Sequence, residues 1–325
     1  MVAAVRVHKH GGPEVLTFEQ VEVPAPGQGQ IRIKQRACGV NFIDTYFRSG
    51  MYPPPGGLPF IAGNEGAGDV VAVGPGVTDI KVGDRVAYVS ALSGYAEERL
   101  LPAERAVKLP AAISYEQAAG MMLKGMTAQY LLRRTYKVEP GNTILVHAAA
   151  GGVGQILTQW GKQLGATVIG TVGNKEKAAI AKANGADHTI LYREEDFAAR
   201  VKEITGGKLC DVVYDSVGKD TFPKSLDCIR PLGMFASFGS SSGKVDAFDI
   251  NILQFKGSLF TTRPTLINYT ATRKDLLATA SDLFDVVASG KVKIPVNQKY
   301  ALKDAQKAHT DLEGRGTTGS SVLIP

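Results

Sequence analysis

The chain has 325 residues, 44% of them hydrophobic and 21% charged, a balance that suits two soluble domains and excludes disordered, collagen-like and coiled-coil architectures. The 37 basic and 31 acidic residues leave a net charge of +6, but no block of consecutive cations accompanies it, so a nucleic-acid partner is not expected. Three cysteines are too few and too scattered for a disulfide framework, the N-terminus lacks a signal-peptide core, and no apolar run reaches spanning length, so a soluble, cytoplasmic protein without a membrane partner is expected.

Residues 2–8, 17–23, 30–37 and 68–73 are rich in valine and isoleucine and are punctuated by proline and glycine, which predicts a β-rich module, a barrel or sandwich. The character changes at Ser114, an N-cap candidate with Gln117 three residues on, the spacing of a capping box. Strands are then expected at 143–148, 166–171, 189–192, 211–215, 234–238 and 257–261, with helices at 152–164, 175–184 and 194–204 between them. Strands separated by helical crossovers predict an α/β fold with a doubly wound, six-stranded parallel sheet. After Pro264 come a helical stretch at 271–289, a strand at 298–301, a short helix at 303–312 and a last strand at 320–324. That tail is too short to fold alone. The expected division is therefore a first domain at 1–125 and 264–325, interrupted by a dinucleotide-binding domain at 126–263, with a cleft between them.

The most informative segment is 143–154, a buried strand followed by Ala148-Ala149-Ala150-Gly151-Gly152-Val153-Gly154. A glycine turn that opens a helix points free backbone N–H groups at an anion, the logic of pyrophosphate binding in dinucleotide folds. The first glycine of the G-x-G-x-x-G pattern is replaced by Ala149, but a strand precedes and a second βα repeat follows on schedule. At the tip of the second strand, where an acidic residue would hold the ribose 2′-hydroxyl of NAD, the chain has Gly173 and Asn174, with Lys175 and Lys177 beyond. A lysine pairs with a 2′-phosphate that a carboxylate would repel, so NADPH is the expected cofactor; Glu176 is the discordant residue, and on a helix it can point away.

Two further segments carry a resemblance. Zinc alcohol dehydrogenases hold their catalytic metal with a cysteine in a Cys-Gly-Val-Cys context and a histidine in Gly-His-Glu; here the corresponding segments read Cys38-Gly39-Val40-Asn41 and Gly63-Asn64-Glu65. Asparagine stands at both ligand positions, and an amide is a poor ligand beside thiolate or imidazole. The four-cysteine lobe of those enzymes is missing as well, so no metal is expected, and Cys38 reads as a small buried residue. With segments 41–52, 147–154, 213–218, 238–243 and 319–325, the whole chain resembles the zinc-independent quinone oxidoreductases, the zeta-crystallin-like branch of the medium-chain dehydrogenase/reductase superfamily.

The resemblance implies a chaperonin-10-like β module joined to a Rossmann domain, and NADPH-dependent reduction of quinones by electron or hydride transfer from the nicotinamide in the interdomain cleft. Without a Lewis acid, the acceptor has to be electrophilic already, which admits enals and enones as the alternative substrates. An RNA-binding or structural crystallin-like role is the reading from a different class. The cofactor-binding residues it implies are Asn41, Tyr46, Thr127, Tyr130, Gly152, Val153, Gly173, Lys177, Tyr192, Ser216, Phe238, Gly239, Ser240, Ser241, Phe260 and Arg263. Asn41, Tyr46 and Tyr52 are also substrate-pocket candidates, and no catalytic acid is expected. Relatives that pair cofactor-domain edge strands imply a homodimer, with 257–262 as the edge.

Overall fold

Alternating valine-rich segments and tight turns in the first third of the chain become β1 (Val2–Val7), β2 (Leu16–Val21), β3 (Gln30–Val40), β4 (Phe60–Ile61), β5 (Glu65–Val73), β6 (Arg85–Val89), β7 (Glu98–Pro102) and β8 (Ala106–Lys108) in the computed structural model, which describes residues 1–90 and 92–325. Strand β3 runs three residues beyond the expected end at 37, as far as Val40, and leads into α1 (Phe42–Arg48), a helix that the periodicity did not predict. Ser114 and Gln117 make the expected reciprocal cap, each backbone N–H reaching the other's side chain at 3.1 Å, and α2 (Tyr115–Tyr130) follows.

The alternating region gives β9 (Thr143–Val146), α3 (Gly152–Gln163), β10 (Thr167–Val172), α4 (Lys175–Ala183), β11 (His188–Leu191), α5 (Phe197–Ile204), β12 (Cys210–Asp215), β13 (Ile229–Ser237), α6 (Asn251–Phe255) and β14 (Phe260–Thr262). Two boundaries shift for local reasons. Helix α5 starts at Phe197 rather than 194 because the Asp196 carboxylate accepts the N–H groups of Ala198 and Ala199. Strand β14 starts at Phe260 rather than 257 because Gly257, at φ 109°, is in a turn. The chain continues through α7 (Leu266–Tyr269), α8 (Arg273–Ala288), β15 (Val296–Ala301), α9 (Ala305–Glu313) and β16 (Ser320–Ile324).

Two compact units result. The first comprises Met1–Met126, Thr270–Ala288 and Ile294–Pro325, and the second Thr127–Tyr269 and Ser289–Lys293. In the first, β16 pairs antiparallel with β3 and parallel with β15, so the tail extends the sheet β15-β16-β3-β5-β6-β8, while β2-β1-β4 forms a smaller one. Val5, Val7, Cys38, Val40, Phe47, Leu302 and Leu323 share one core, which ties the tail to the N-terminal strands. Within the second unit, the parallel order β11-β10-β9-β12-β13-β14 is the doubly wound sheet, changing direction at β9. The second unit also holds 264–269 and 289–293: Tyr269 stacks on Tyr130 at 4.3 Å, and Gln159 bonds to both backbone groups of Lys293.

One packing constraint bears directly on the site. A Cβ at Gly39 would overlap the Ala119 carbonyl oxygen and the Glu65 side chain. Gly39→Ala therefore overpacks the junction of β3, β5 and α2 and should cost about 1–3 kcal/mol, read as a lower urea midpoint with an unchanged m-value.

Candidate active site

The site residues expected from the sequence fall into two groups, one within each unit. In the first, Asn41 caps α1 and its backbone N–H reaches Asp44 Oδ2 at 2.8 Å. Tyr46 lies on α1 and Tyr52 just after it; their rings meet edge to face at 5.2 Å, and the Tyr52 N–H bonds to the Tyr46 carbonyl. Asn41 and Asn64, which the sequence resemblance sets at the ligand positions of the zinc enzymes, both donate to carboxylates. Asn41 Nδ2 reaches Glu65 Oε1 at 2.7 Å, and Asn64 Nδ2 reaches Asp44 Oδ1 at 2.5 Å. Among the described residues, no group of three or more His, Cys, Asp or Glu could hold a metal ion.

Glu65 is fully buried, and Lys124 provides its counter-charge at 3.3 Å while also donating to the Val40 carbonyl. The Leu123 N–H supplies another donor at 2.6 Å. Such a pair holds α2 against β5, because removing one partner would strand a charge out of water.

Asp44 is equally buried, and burial pushes its carboxyl up to about 6 although Asn64, Tyr95 and Asn41 all donate to it. Tyr95 Oη lies 2.8 Å from Asp44 Oδ2 and 3.1 Å from His309 Nε2. On its other side, His309 Nδ1 meets Arg48 Nη1 at 2.9 Å, and Arg48 grips Glu313 with two bonds of 2.9 and 2.7 Å. Burial, and then the Arg48 charge, lower His309 to about 3, so this ring is neutral. Burial likewise pushes the Cys38 thiol up to about 12, in keeping with a small packing residue.

In the second unit the glycine loop follows β9 through Ala148, a non-glycine residue at φ 53°, strained backbone of the kind that collects at binding loops. Gly152 and Val153 open α3 at the carboxyl end of the sheet, where their N–H groups are the unpaired donors of a helix start. Gly173 ends the second strand's turn. A Cβ there would sit 3.2 Å from the Tyr192 hydroxyl and 3.7 Å from Arg193 Nε, so these two residues flank the space that the missing side chain leaves. Asn174 caps α4 through the Lys177 N–H at 2.9 Å, which fixes where Lys177 leaves the backbone; Lys175 and Glu176 are exposed.

Ser216 follows β12, and Phe238, Gly239, Ser240 and Ser241 follow β13. The two loops lie close: a Cβ on Gly239 would stand 2.5 Å from the Ser216 carbonyl oxygen, and the Ser241 N–H bonds to that same oxygen. Arg263, beyond β14, donates to the Ser237 carbonyl at 2.8 Å and to Ser240 Oγ at 3.3 Å. Beneath this edge Asp215, fully buried, accepts the N–H groups of Val217 and Gly218 and the Thr221 and Ser225 hydroxyls, while His147 bridges Ser225 and Thr171. Thr127 and Tyr130 are buried on α2, with the Tyr130 ring covered by Tyr269, which Arg134 overlies in turn. Phe260 is 59% exposed on the edge strand.

The structure thus brings Gly173 and Tyr192 together at one strand edge, with Lys177 in the first turn of α4 that follows, and Ser216, Gly239, Ser240 and Arg263 around another. It adds Arg193, which the sequence reading passed over although it directly follows Tyr192. Glu65, Lys124 and Asp215 were also passed over, because no local pattern marks a buried carboxylate. The donor set suits NADPH: a helix start for the pyrophosphate, and Arg193 beside a glycine where an acid would be needed for NAD, with Lys177 in the first turn of α4.

Comparison with known proteins gives the family. Residues 27–142 match the alcohol dehydrogenase GroES-like domain and residues 152–283 the zinc-binding dehydrogenase family. The fold is that of the medium-chain dehydrogenases and reductases, a GroES-like domain with a Rossmann sheet. Within that superfamily the chain belongs to the zinc-independent quinone oxidoreductases. It is 52% identical to a quinone oxidoreductase of Pseudomonas aeruginosa over the full length of both chains, and 49% identical to a 2-haloacrylate reductase of a Burkholderia species, covering 100% of this chain and 99% of the other. The crystal structure of Escherichia coli quinone oxidoreductase complexed with NADPH superposes with a TM-score of 0.97 at 53% identity, covering 99% of this chain and 100% of that one.

The buried pair of titratable groups has opposed effects on stability. Between its ordinary value of 6.5 and about 3, folded His309 refuses a proton that the unfolded chain binds, so its contribution is lost as pH falls through that window. Asp44 acts in the other direction between its ordinary 3.8 and about 6, where the folded protein holds the extra proton. His309→Gln removes only the first effect. Urea unfolding should show that the stability deficit of the variant at neutral pH shrinks by about 2 kcal/mol toward pH ~4.5; a constant deficit would mean that His309 is not held neutral.

Proposed function

We propose that this chain is an NADPH-dependent quinone oxidoreductase. The observation that carries the reading is the combination of a dinucleotide edge at Gly173, Tyr192 and Arg193 with amide side chains at Asn41 and Asn64, in a chain about half identical to quinone oxidoreductases along its whole length. NADPH supplies the hydride. The chain's own residues bind and orient. The N–H groups of Gly152 and Val153 receive the pyrophosphate, and Gly173, Lys177, Tyr192 and Arg193 receive the 2′-phosphate. Ser216, Phe238, Gly239, Ser240, Ser241, Phe260 and Arg263 line the remaining cofactor path with Thr127 and Tyr130. Asn41, Tyr46 and Tyr52 of the first unit are the residues proposed to orient the nicotinamide and the acceptor. A quinone that takes up a hydride becomes a stabilised phenolate that water protonates, so positioning supplies most of the rate and no catalytic acid is required.

The 2-haloacrylate reductase relative supports a second reading, reduction of an alkene conjugated to a carbonyl, with hydride added at the β-carbon. The same residues serve either acceptor. Nothing in the charge distribution favours RNA. No helix among the described residues is long and apolar enough to cross a membrane, and the three cysteines are buried free thiols, which supports a cytoplasmic location.

A homodimer is proposed through β14, the last strand of its sheet, where Phe260 is 59% and neighbouring Phe255 81% exposed; an apolar edge of this kind is normally covered.

NADPH oxidation is expected with 1,4-benzoquinone and 9,10-phenanthrenequinone, faster than with a 2-alkenal; turnover of the alkenal alone would transfer the assignment to the second reading. Lys177→Ala and Arg193→Ala should each raise the KM for NADPH about tenfold while leaving that for NADH near wild type. An intact NADPH preference in both variants would show that the 2′-phosphate is held elsewhere. Light scattering should give about twice the 34.5 kDa chain mass, falling to the monomer in Phe260→Glu; a monomeric wild type would rule out the pairing.

A further inference from the structure

The side-chain chain in the first unit admits a single direction. Arg48 has no acceptor, so the His309 Nδ1 that faces it at 2.9 Å carries a lone pair. The neutral ring then has its proton on Nε2 and donates to Tyr95 Oη. With that oxygen already accepting, the single tyrosine proton goes to Asp44 Oδ2. The same carboxylate takes the Asn41 N–H on Oδ2 and the Asn64 amide on Oδ1, while the Asn64 carbonyl accepts from the Leu92 N–H at 3.2 Å and so fixes the amide's orientation. Every hydrogen bond from Arg48 to Asp44 points the same way, and successive bonds of one sense polarise each other.

The chain begins and ends on one short helix. Arg48 is the last residue of α1 and Asp44 lies in its first turn, and the return path runs through His309 of α9 and through Tyr95. Arg48, Asp44, Tyr95 and His309 are each at most 2% exposed, whereas the Glu313 side chain, which receives both Arg48 bonds, is 36% exposed. A proton relay to the surface is excluded, because the guanidinium does not release its proton. What the arrangement can do is hold position. A seven-residue helix has little stability of its own, and here both ends are fixed by buried, oriented bonds.

We propose that Arg48, His309 and Tyr95 are positioning residues for the reduction, acting through Asp44 to hold the segment from Asn41 to Tyr52 in register with the acceptor. The proposal rests on reading that segment as part of the reduction site. The three side chains are buried and act at a distance from the acceptor; their effect is to keep the Asn41 amide and the Tyr46–Tyr52 ring pair in one arrangement.

The test is kinetic, on the full-length enzyme. Tyr95→Phe deletes one oxygen and keeps the ring, so Asp44 loses a donor and His309 Nε2 its acceptor. His309→Leu removes both links of the imidazole, and His309→Gln restores an N–H and a carbonyl. With NADPH and 1,4-benzoquinone, kcat should fall about tenfold or more in Tyr95→Phe and His309→Leu, and return to within about threefold of wild type in His309→Gln. The Kd for NADPH, from nicotinamide fluorescence, should stay within about twofold in all three, because the phosphate contacts belong to the other unit. An unchanged kcat in Tyr95→Phe would overturn the proposal. So would equal impairment of the two His309 variants, or losses of kcat and NADPH affinity that track the melting temperature. If His309→Leu fails to fold, Tyr95→Phe decides alone. A wild-type enzyme inactive on every quinone but active on a 2-alkenal would refute the quinone reading, and the same variants would then be scored on the alkenal.

Discussion

A carboxylate removed from water has to be met by donors, and three fully buried ones, Asp44, Glu65 and Asp215, organise this molecule. Asp44 and Glu65 gather donors from segments far apart in the chain, whereas Asp215 gathers them from the residues that follow it, as far as Ser225. Asp44 takes them from Asn41, Asn64 and Tyr95; Glu65 from Asn41, Leu123 and Lys124; Asp215 from the loop that follows β12 and from Ser225. Leaving any of them short of partners would cost more than a typical surface interaction is worth, so the segments that bring the donors are fixed. Those segments are the ones that carry Asn41, Tyr46 and Ser216.

The asparagines make chemical sense in this light. At Asn41 and Asn64 a metal site would need anionic or imidazole ligands, whose charge or lone pairs are balanced by the ion. Amides are neutral and donate, and here both donate to carboxylates that lie immediately behind them. The polar shell around the lost ligand positions is thereby satisfied by side chains alone.

Much of the architecture is legible in local pattern. The glycine loop, the Gly173 turn and the capping box at Ser114 and Gln117 depend on neighbours within a few residues, and the strands of the parallel sheet announce themselves as apolar runs. Boundaries moved where a side chain overruled propensity, as when the Asp196 cap set the start of α5. Helix α1 escaped because seven residues carry too little periodicity, although Asn41 and Asp44 already have the spacing of a reciprocal cap. Arg193 had no motif of its own and became visible only when it was placed against Gly173.

The sequence by itself determined the cofactor class, the asparagines at 41 and 64 and the return of the tail to the first sheet, since each follows from residue chemistry at short spacing or from segments too small to fold alone. Only the tertiary structure decided the partners of the buried polar groups. Asp44, Tyr95 and His309 stand 51 and 214 positions apart along the two links that join them. Contacts of that range leave no periodic trace, because they arise when the β16–β3 pairing carries α9 back to the N-terminal strands and burial then forces each polar atom to find a donor or an acceptor.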